Sequence, residues 1–143
     1  MILPDVNALV YAHHRDSADH DAYRSWWEAV VNGPSAYGMA DLVLSGFVRV
    51  VTHPRVFDRP MRPSAAVAAA EAMRARSTFR PVKPGDRHWS LFSGLARSTD
   101  AKGNAVPDAY LAALAIESGS DLVTCDRGFA RFPGLRWRHP LDA

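Results

Sequence analysis

Four aspartates stand apart from the other acidic residues of the chain because each lies among apolar neighbours. Asp5 and Asp126 each follow a short apolar run that is typical of a buried strand. Asp41 and Asp108 lie where helical patterns begin. In a parallel sheet, the carboxyl ends of the strands and the N-termini of the following helices meet at one edge. We therefore expect the four carboxylates to converge.

Carboxylates that share one edge repel each other, and a bound cation allows them to remain ionised together. A cluster rich in carboxylate oxygens suits Mg²⁺ or Mn²⁺. These ions activate water and offset the charge that develops on phosphoryl oxygens during an in-line displacement. The pattern therefore indicates metal-dependent hydrolysis of phosphodiesters.

Each of these aspartates also has a purely structural interpretation. A carboxylate in the first turn of a helix, as at Asp41 and Asp108, is stabilised by unpaired N–H groups and by the helix dipole. At Asp5 and Asp126 the side chain can instead form an Asx turn. The sequence leaves both interpretations open for each residue, and their joint occurrence favours the metal site.

The sequence lacks the signatures of several other kinds of catalytic site. It contains no GxGxxG, GxxxxGK[ST] or GxSxG motif, which argues against dinucleotide, nucleoside-triphosphate and α/β-hydrolase sites. The six histidines are scattered without the spacing of zinc ligands. Cys125 is the single cysteine, and we interpret it as a small core residue rather than a nucleophile.

The same features bear on the cellular location. A single cysteine forms no internal disulfide, which favours a reducing compartment. No apolar run approaches the roughly 20 residues that span a bilayer. The segment 1–5 also lacks the basic start of a signal peptide. We expect a cytoplasmic protein with no membrane association.

Short apolar segments alternate with helical patterns along the chain. The predicted strands are residues 1–5, 35–39, 79–82, 121–126 and 135–138. The predicted helices are residues 6–12, 17–30, 41–51, 64–77, 86–95 and 107–118. This alternation is typical of the α/β class. We predict one domain over residues 1–143, with a mainly parallel, twisted sheet of about four or five strands and helices on both faces.

Four segments, in order, resemble the motif blocks of PIN-domain proteins and of the VapC-type toxins among them. Residues 5–12, DVNALVYA, resemble the opening DxNxLxYA block. Residues 46–57, GFVRVVTHPRVF, are similar to the GFxRVxTxPRVF block. Residues 103–115 and 122–135 resemble the third and fourth blocks. The resemblance covers nearly the whole chain.

The resemblance implies a PIN-like fold and a Mg²⁺-dependent endoribonuclease, with Mn²⁺ as a substitute ion. Such a protein is the toxin of a VapBC type II toxin–antitoxin pair and often acts on structured RNA such as tRNA. Asp5, Asp108 and Asp126 match the catalytic, metal-binding acidic positions of the family. Asn7 matches the polar residue of the first block, and Thr124 matches the hydroxyl that precedes the last aspartate.

Arginine supplies most of the positive charge. The chain has 17 basic and 15 acidic residues, a net charge of +2, and its lysines are Lys83 and Lys102. The guanidinium group pairs bidentately with phosphates. We predict that Arg15, Arg49 and Arg127 hold the RNA backbone through salt-sensitive contacts.

The chain departs from the family pattern at two acidic positions. Leu44 stands where a glutamate is usual, and Gly128 stands where a further aspartate is often present. Asp41 is an additional candidate metal ligand if the start of its helix points inward. The departures motivate an alternative function, a catalytically weak PIN-fold module that binds RNA or an antitoxin. A phosphoaspartate receiver domain is disfavoured, because Asn7 and Arg127 replace its second acid and its lysine.

The resemblance also implies protein partners. A VapB-like antitoxin is expected to lie over the acidic edge and to place an arginine among the aspartates. Phe57 and the pair Trp26 and Trp27 are predicted as exposed apolar anchors, although adjacent helical residues cannot both face one way. We also expect a homodimer.

Overall fold

The computed structural model describes residues 1–142 and contains one sheet of five strands. They are β1 (Ile2–Pro4), β2 (Tyr37–Met39), β3 (Phe79–Pro81), β4 (Asp121–Val123) and β5 (Trp137–Arg138). All neighbouring strands are parallel, in the spatial order β3-β2-β1-β4-β5. The predicted fold class is confirmed. Ala143, the last residue of the predicted domain, lies outside the described residues.

Six α-helices surround this sheet in the part of the chain described, residues 1–142. They are α1 (Val6–His13), α2 (His20–Asn32), α3 (Asp41–Val51), α4 (Pro63–Arg74), α5 (His88–Ser98) and α6 (Ala105–Ser118). The helix α1 packs against both α2 and α3, α3 packs against α4, and α5 packs against α6. Within these residues, no helix combines the length and the apolar character needed to cross a membrane.

Two helices begin earlier than predicted, each with a proline inside its first turn. The helix α4 begins at Pro63 with Arg62 as its N-cap, so Ser64 is not the cap residue. The helix α6 begins at Ala105, two residues before Pro107. Proline is tolerated there because the first four N–H groups of a helix have no intrahelical partner. The predicted boundaries treated the following polar residue or the proline itself as the start.

The core depends on aromatic side chains that connect β2 to the helices. The ring of Tyr37 meets Trp27 of α2 edge to face, with 5.2 Å between centroids, and meets Phe79 of β3 in the same way at 6.1 Å. Its hydroxyl donates a hydrogen bond to the backbone carbonyl of Met73 in α4 at 2.6 Å. Tyr37 is fully buried, so this bond satisfies a polar group that would otherwise lose its contact with water.

We expect Tyr37→Phe to lower the free energy of unfolding by about 1–3 kcal/mol, because a buried hydrogen bond to the Met73 carbonyl is lost. Urea titration followed by circular dichroism measures this change. Tyr110→Phe is the matched control. Because Tyr110 is half-buried, removing its hydroxyl is expected to lower the free energy of unfolding by less. Equal losses in the two variants would contradict the assignment.

Candidate active site

The aspartates Asp5 and Asp126 lie at the switch point of the sheet. From β1 the chain continues to β2 on one side, while β4 pairs with the other side of β1. A crevice opens between the carboxyl ends of two such strands, and ligands bind there in α/β proteins. Asp5 follows β1, and its backbone N–H donates to the carbonyl of Val123, the last residue of β4, at 2.8 Å.

The Asp5 carboxylate is held on both oxygens. It caps α1 by accepting a hydrogen bond from the Val6 N–H at 2.7 Å. Its second oxygen accepts from the hydroxyl of Thr124 at 2.7 Å, and Thr124 is fully buried. This contact joins residues 119 positions apart, so the carboxylate is fixed by the pairing of β1 with β4.

The side chains of Thr124 and Asn7 link the segment that follows β1 to the segment that follows β4. The Thr124 hydroxyl oxygen accepts from the Asp126 N–H at 3.1 Å and from the Asn7 amide at 3.5 Å. The Asn7 side-chain oxygen accepts from the Cys125 N–H at 3.1 Å. Both predicted supporting residues therefore lie at the site and tie the segment that follows β1 to the segment that follows β4.

Asp126 begins a 3₁₀ helix, Arg127–Arg131, and caps it by accepting from the Gly128 N–H at 2.8 Å. Asp5 and Asp126 thus act as helix caps and also face the crevice. The capping interpretation therefore holds for both residues, and it leaves metal binding as a prediction, since a capping carboxylate still has lone pairs available for another partner.

Asp108 reaches the same crevice from the first turn of α6. Its carboxylate forms an ion pair with Arg131, with 3.0 Å between Oδ2 and Nη2. Both side chains are about one-third exposed, at 32% for Asp108 and 35% for Arg131. The third carboxylate is thus already paired with a cation of the chain itself.

Burial and mutual repulsion disfavour ionisation at this edge. Burial raises the pKa of Asp5 above its ordinary value, opposed by the Thr124 and Val6 hydrogen bonds, and the charges of Asp108 and Asp126 raise it further. Burial also raises the pKa of Asp108, although Arg131 acts in the opposite direction. A cation bound at this edge would oppose both effects and favour the ionised carboxylates.

The three aspartates line a cleft of about 680 Å³. The opposite wall is largely apolar and comes from α1, α3 and the loop after α3, with the lining side chains Val6, Val10, Tyr11, Leu42, Val50, Val56 and Phe57. Leu42 and Val56 are each about half exposed. Arg49 of α3 lines the same cleft and adds a positive charge to it.

A glycine brings the apolar wall close to Asp5. A Cβ atom at Gly46 of α3 would lie 2.9 Å from Cγ2 of Val6, the residue after Asp5. Real Cβ atoms essentially never come so close, so glycine is required where α3 crosses the start of α1. Leu44 is buried in the core and is not among the residues that line the cleft, whereas Ser45 and Gly46 are.

His14 fixes the loop that carries Phe57. The two rings stack with 3.6 Å between centroids and 5° between planes. His14 Nδ1 accepts from the Asp16 N–H at 3.1 Å, which leaves Nε2 to donate to the Arg59 carbonyl at 3.0 Å. The Arg59 side chain in turn pairs with Asp16 at 2.8 Å. The apolar wall is therefore attached to the end of α1.

Asp41 does not join the other aspartates. Its carboxylate is 82% exposed and pairs with Arg74 of α4 at 2.9 Å, beside a separate cleft that also contains Lys83. The first residue of α3 points away from the acidic edge because its helix places the apolar face toward α1. The inclusion of Asp41 as a metal ligand is therefore not supported by its position.

Two of the three predicted arginines also lie apart from the cleft lining. Arg15 is exposed in the turn after α1, and Arg127 points toward Asp142 at 3.5 Å. Sequence reasoning missed Arg131, which contacts Asp108 directly. Residues three apart in a 3₁₀ helix eclipse each other, which places Arg131 beside Gly128 at the acidic edge once this helix is known.

Of the predicted aromatic anchors, one lines the cleft and the others do not form an exposed patch. Trp27 is buried against Tyr37, so the pair Trp26 and Trp27 is not an exposed patch. Phe57 does line the cleft. Trp89 of α5 is 71% exposed and was not singled out in the sequence.

The donor set fits a hard cation that retains water ligands. Among residues 1–142, no three His, Cys, Asp or Glu side chains lie close enough together to hold an ion by direct contacts alone. Mg²⁺ usually keeps several waters and takes one or two protein carboxylates together with substrate phosphates. The carboxylate oxygens of Asp5, Asp108 and Asp126 along one cleft suit that mode.

Comparison with known proteins decides the family. A family model described as the PIN domain matches residues 2–135. The chain belongs to the PIN-domain family. Ribonuclease VapC43 of Mycobacterium tuberculosis is 48% identical to it over 142 residues, which is 99% of this chain and 97% of that protein. The predicted resemblance to PIN domains of the VapC type is confirmed.

Solved structures of other proteins share the fold. The VapBC-1 structure from nontypeable Haemophilus influenzae aligns with a TM-score of 0.71 and 16% identity, covering 99% of this chain and 100% of that chain. Mycobacterium tuberculosis VapC20, described as a Sarcin-Ricin loop cleaving toxin, aligns with a TM-score of 0.66 and 20% identity, covering 95% and 99% of the two chains. At these identities the likeness is one of fold.

The raised pKa of Asp5 predicts a pH-dependent stability in the metal-free protein. The folded Asp5 carboxyl keeps its proton to a higher pH than the unfolded one, whose ordinary pKa is 3.8, so the folded state binds more protons in that interval. Its contribution to the free energy of unfolding therefore falls as pH rises through the interval. We expect the stability of the wild type relative to Asp5→Asn to decline between pH 4 and the raised pKa.

Urea unfolding in EDTA at several pH values measures this difference. Asp121→Asn is the control, because Arg136 lowers the pKa of Asp121 and gives no such decline above pH 4. A wild-type stability that stays constant relative to Asp5→Asn from pH 4 to pH 7 would contradict the raised pKa.

Proposed function

We propose that this protein is a cytoplasmic, metal-dependent endoribonuclease that acts as the toxin of a toxin–antitoxin pair. The observation that carries the proposal is the convergence of Asp5, Asp108 and Asp126 along one cleft at the switch point of the sheet. The identity of 48% with a protein named Ribonuclease VapC43 supports the same activity.

Asp5, Asp108 and Asp126 are the proposed metal-binding and catalytic residues. A bound Mg²⁺ or Mn²⁺ supplies Lewis acidity for activating water and for offsetting phosphate charge. Thr124 holds the Asp5 carboxylate in place through its 2.7 Å hydrogen bond, and Asn7 holds the backbone that leads to Asp126. These two residues position the carboxylates and need not touch the RNA.

RNA enters the cleft, to which Arg49 adds a positive charge. Arg49 lines the cleft and is the proposed contact to the RNA backbone. Arg15 and Arg127 lie outside this lining, so we propose that they contribute only to long-range attraction of RNA.

The partner of the toxin is a VapB-like antitoxin that covers this cleft. The apolar wall with half-exposed Leu42 and Val56 offers anchoring surface beside the acidic edge. Side chains of this type bury well in a protein interface, whereas RNA contacts depend on charge and stacking. We also propose a homodimer, which analytical ultracentrifugation would detect as twice the chain mass of 15.7 kDa.

Cleavage assays test the activity. The purified protein is incubated with a total RNA pool and with a DNA pool, each in Mg²⁺, Mn²⁺ or EDTA. We expect RNA cleavage with either ion and none in EDTA. Asp108→Asn should reduce the rate by at least about 100-fold, because lost support around a metal already costs up to that factor. Asp121→Asn, which alters a carboxylate paired with Arg136 at the opposite end of β4, should cleave normally.

Three results have distinct meanings. Cleavage that persists in EDTA, or that survives Asp108→Asn undiminished, would contradict the metal mechanism. RNA binding without cleavage in either ion would favour the binding module suggested by Leu44 and Gly128 at the two departed positions. Cleavage of DNA at the same rate as RNA would contradict the proposal that the protein is a specific ribonuclease.

A further inference from the structure

Arg131 is fixed at the acidic edge by two polar contacts. Its Nη2 lies 3.0 Å from Oδ2 of Asp108, and its Nη1 donates to the Gly128 carbonyl at 2.6 Å. The two bonds use different nitrogens of one planar group, so the orientation of the guanidinium is set. The cation thereby occupies one oxygen of a proposed metal ligand.

The guanidinium also rests on aromatic rings. Its central carbon lies 4.4 Å from the ring centroid of Phe132 and 6.0 Å from that of Phe129. Both rings are buried, so this surface is rigid. A guanidinium stacked on a ring gains a cation–π contribution and loses less freedom when it forms hydrogen bonds.

The Arg131–Asp108 pair is more shielded than the others. Both of its side chains are about one-third exposed, whereas each of the other ion pairs among residues 1–142 has at least one side chain more than half exposed. Exposed ion pairs contribute little because water and salt screen them. A partly buried pair with fixed geometry holds its partners more firmly.

Gly128 provides the space for this arrangement. A Cβ atom at this position would lie 2.8 Å from Arg131 Nη1 and 2.8 Å from Asp126 Oδ1. A side chain there, such as the aspartate that the sequence pattern leads one to expect, would displace the guanidinium or the Asp126 carboxylate. Glycine at position 128 therefore leaves space for the Arg131 guanidinium where an aspartate would have added a fourth carboxylate.

We propose that Arg131 competes with the divalent cation for Asp108 and so weakens metal binding until the phosphate of the substrate draws the guanidinium away. This inference rests on the proposed metal-dependent function. Arg131 and a divalent cation bound to the same carboxylate repel each other, so Arg131 opposes an ion that binds Asp108, and moving the guanidinium away favours that ion. A phosphate can then accept two hydrogen bonds from the released Arg131 guanidinium, which favours such bidentate partners. Arg131 is thus a positioning residue that couples metal binding to substrate binding.

Calorimetric titration of RNA-free protein with Mn²⁺ tests the competition without relying on activity. We expect Arg131→Gln to bind Mn²⁺ about five- to tenfold more tightly than the wild type, at the lower end of typical coupling between sites. Arg131→Lys keeps the positive charge and should bind Mn²⁺ with an affinity between the two. Arg136→Gln, which removes an arginine paired with Asp121 away from the cleft, should match the wild type.

Folding is checked by thermal unfolding of each variant. If Arg131→Gln does not fold, Arg131→Met retains the stem that packs over Phe132 and replaces it in the titration. Equal or weaker Mn²⁺ binding by the folded neutral variant would overturn the competition while leaving the proposed function intact. Equal tightening in Arg136→Gln would also overturn it, because net charge would then be the cause. Absence of Mn²⁺ binding in every protein, wild type included, would overturn both the competition and the metal-dependent function.

Discussion

Repulsion among three carboxylates at one partly buried edge is the constraint on which the rest of the structure depends. Each carboxylate is stabilised differently. Asp5 receives hydrogen bonds from Thr124 and Val6, Asp126 caps the 3₁₀ helix, and Asp108 pairs with Arg131. The first two devices keep their carboxylates in place while leaving lone pairs free, whereas the third fills an oxygen with a cation. The three carboxylates are therefore held in place by groups of the chain itself, and the proposed ion meets a guanidinium already paired with one of them.

The sequence was sufficient to predict the parallel α/β fold and the convergence of Asp5, Asp108 and Asp126, because strand ends and helix starts share one edge of such a sheet. It failed at Asp41, since a carboxylate in a first helical turn gives no indication of which face its helix buries. Arg131 was missed for a related reason. Its role depends on a 3₁₀ helix of five residues, which has no apolar periodicity to mark it. The spatial order of the strands could not be predicted from the sequence either, because a short apolar run does not indicate which strands will pair with it.

The cleft combines two surfaces of opposite character. One is acidic and polar, and the other is apolar and held from behind by the stack of His14 on Phe57. Gly46 brings the two surfaces together by allowing α3 to cross close to Val6. A nuclease needs the first surface and a protein inhibitor benefits from the second. Under the proposed function, RNA and the antitoxin would therefore compete for this one groove.

The hydrogen bond from Thr124 to Asp5 connects residues 119 positions apart and lies between two neighbouring strands. During synthesis, the first strand leaves the ribosome long before its partner β4 exists. A growing chain that ends before Thr124 has neither the hydrogen bond that fixes Asp5 nor the carboxylate of Asp126. Translation products that end before Thr124 are therefore expected to lack the assembled acidic edge, so the proposed activity belongs to completed chains alone.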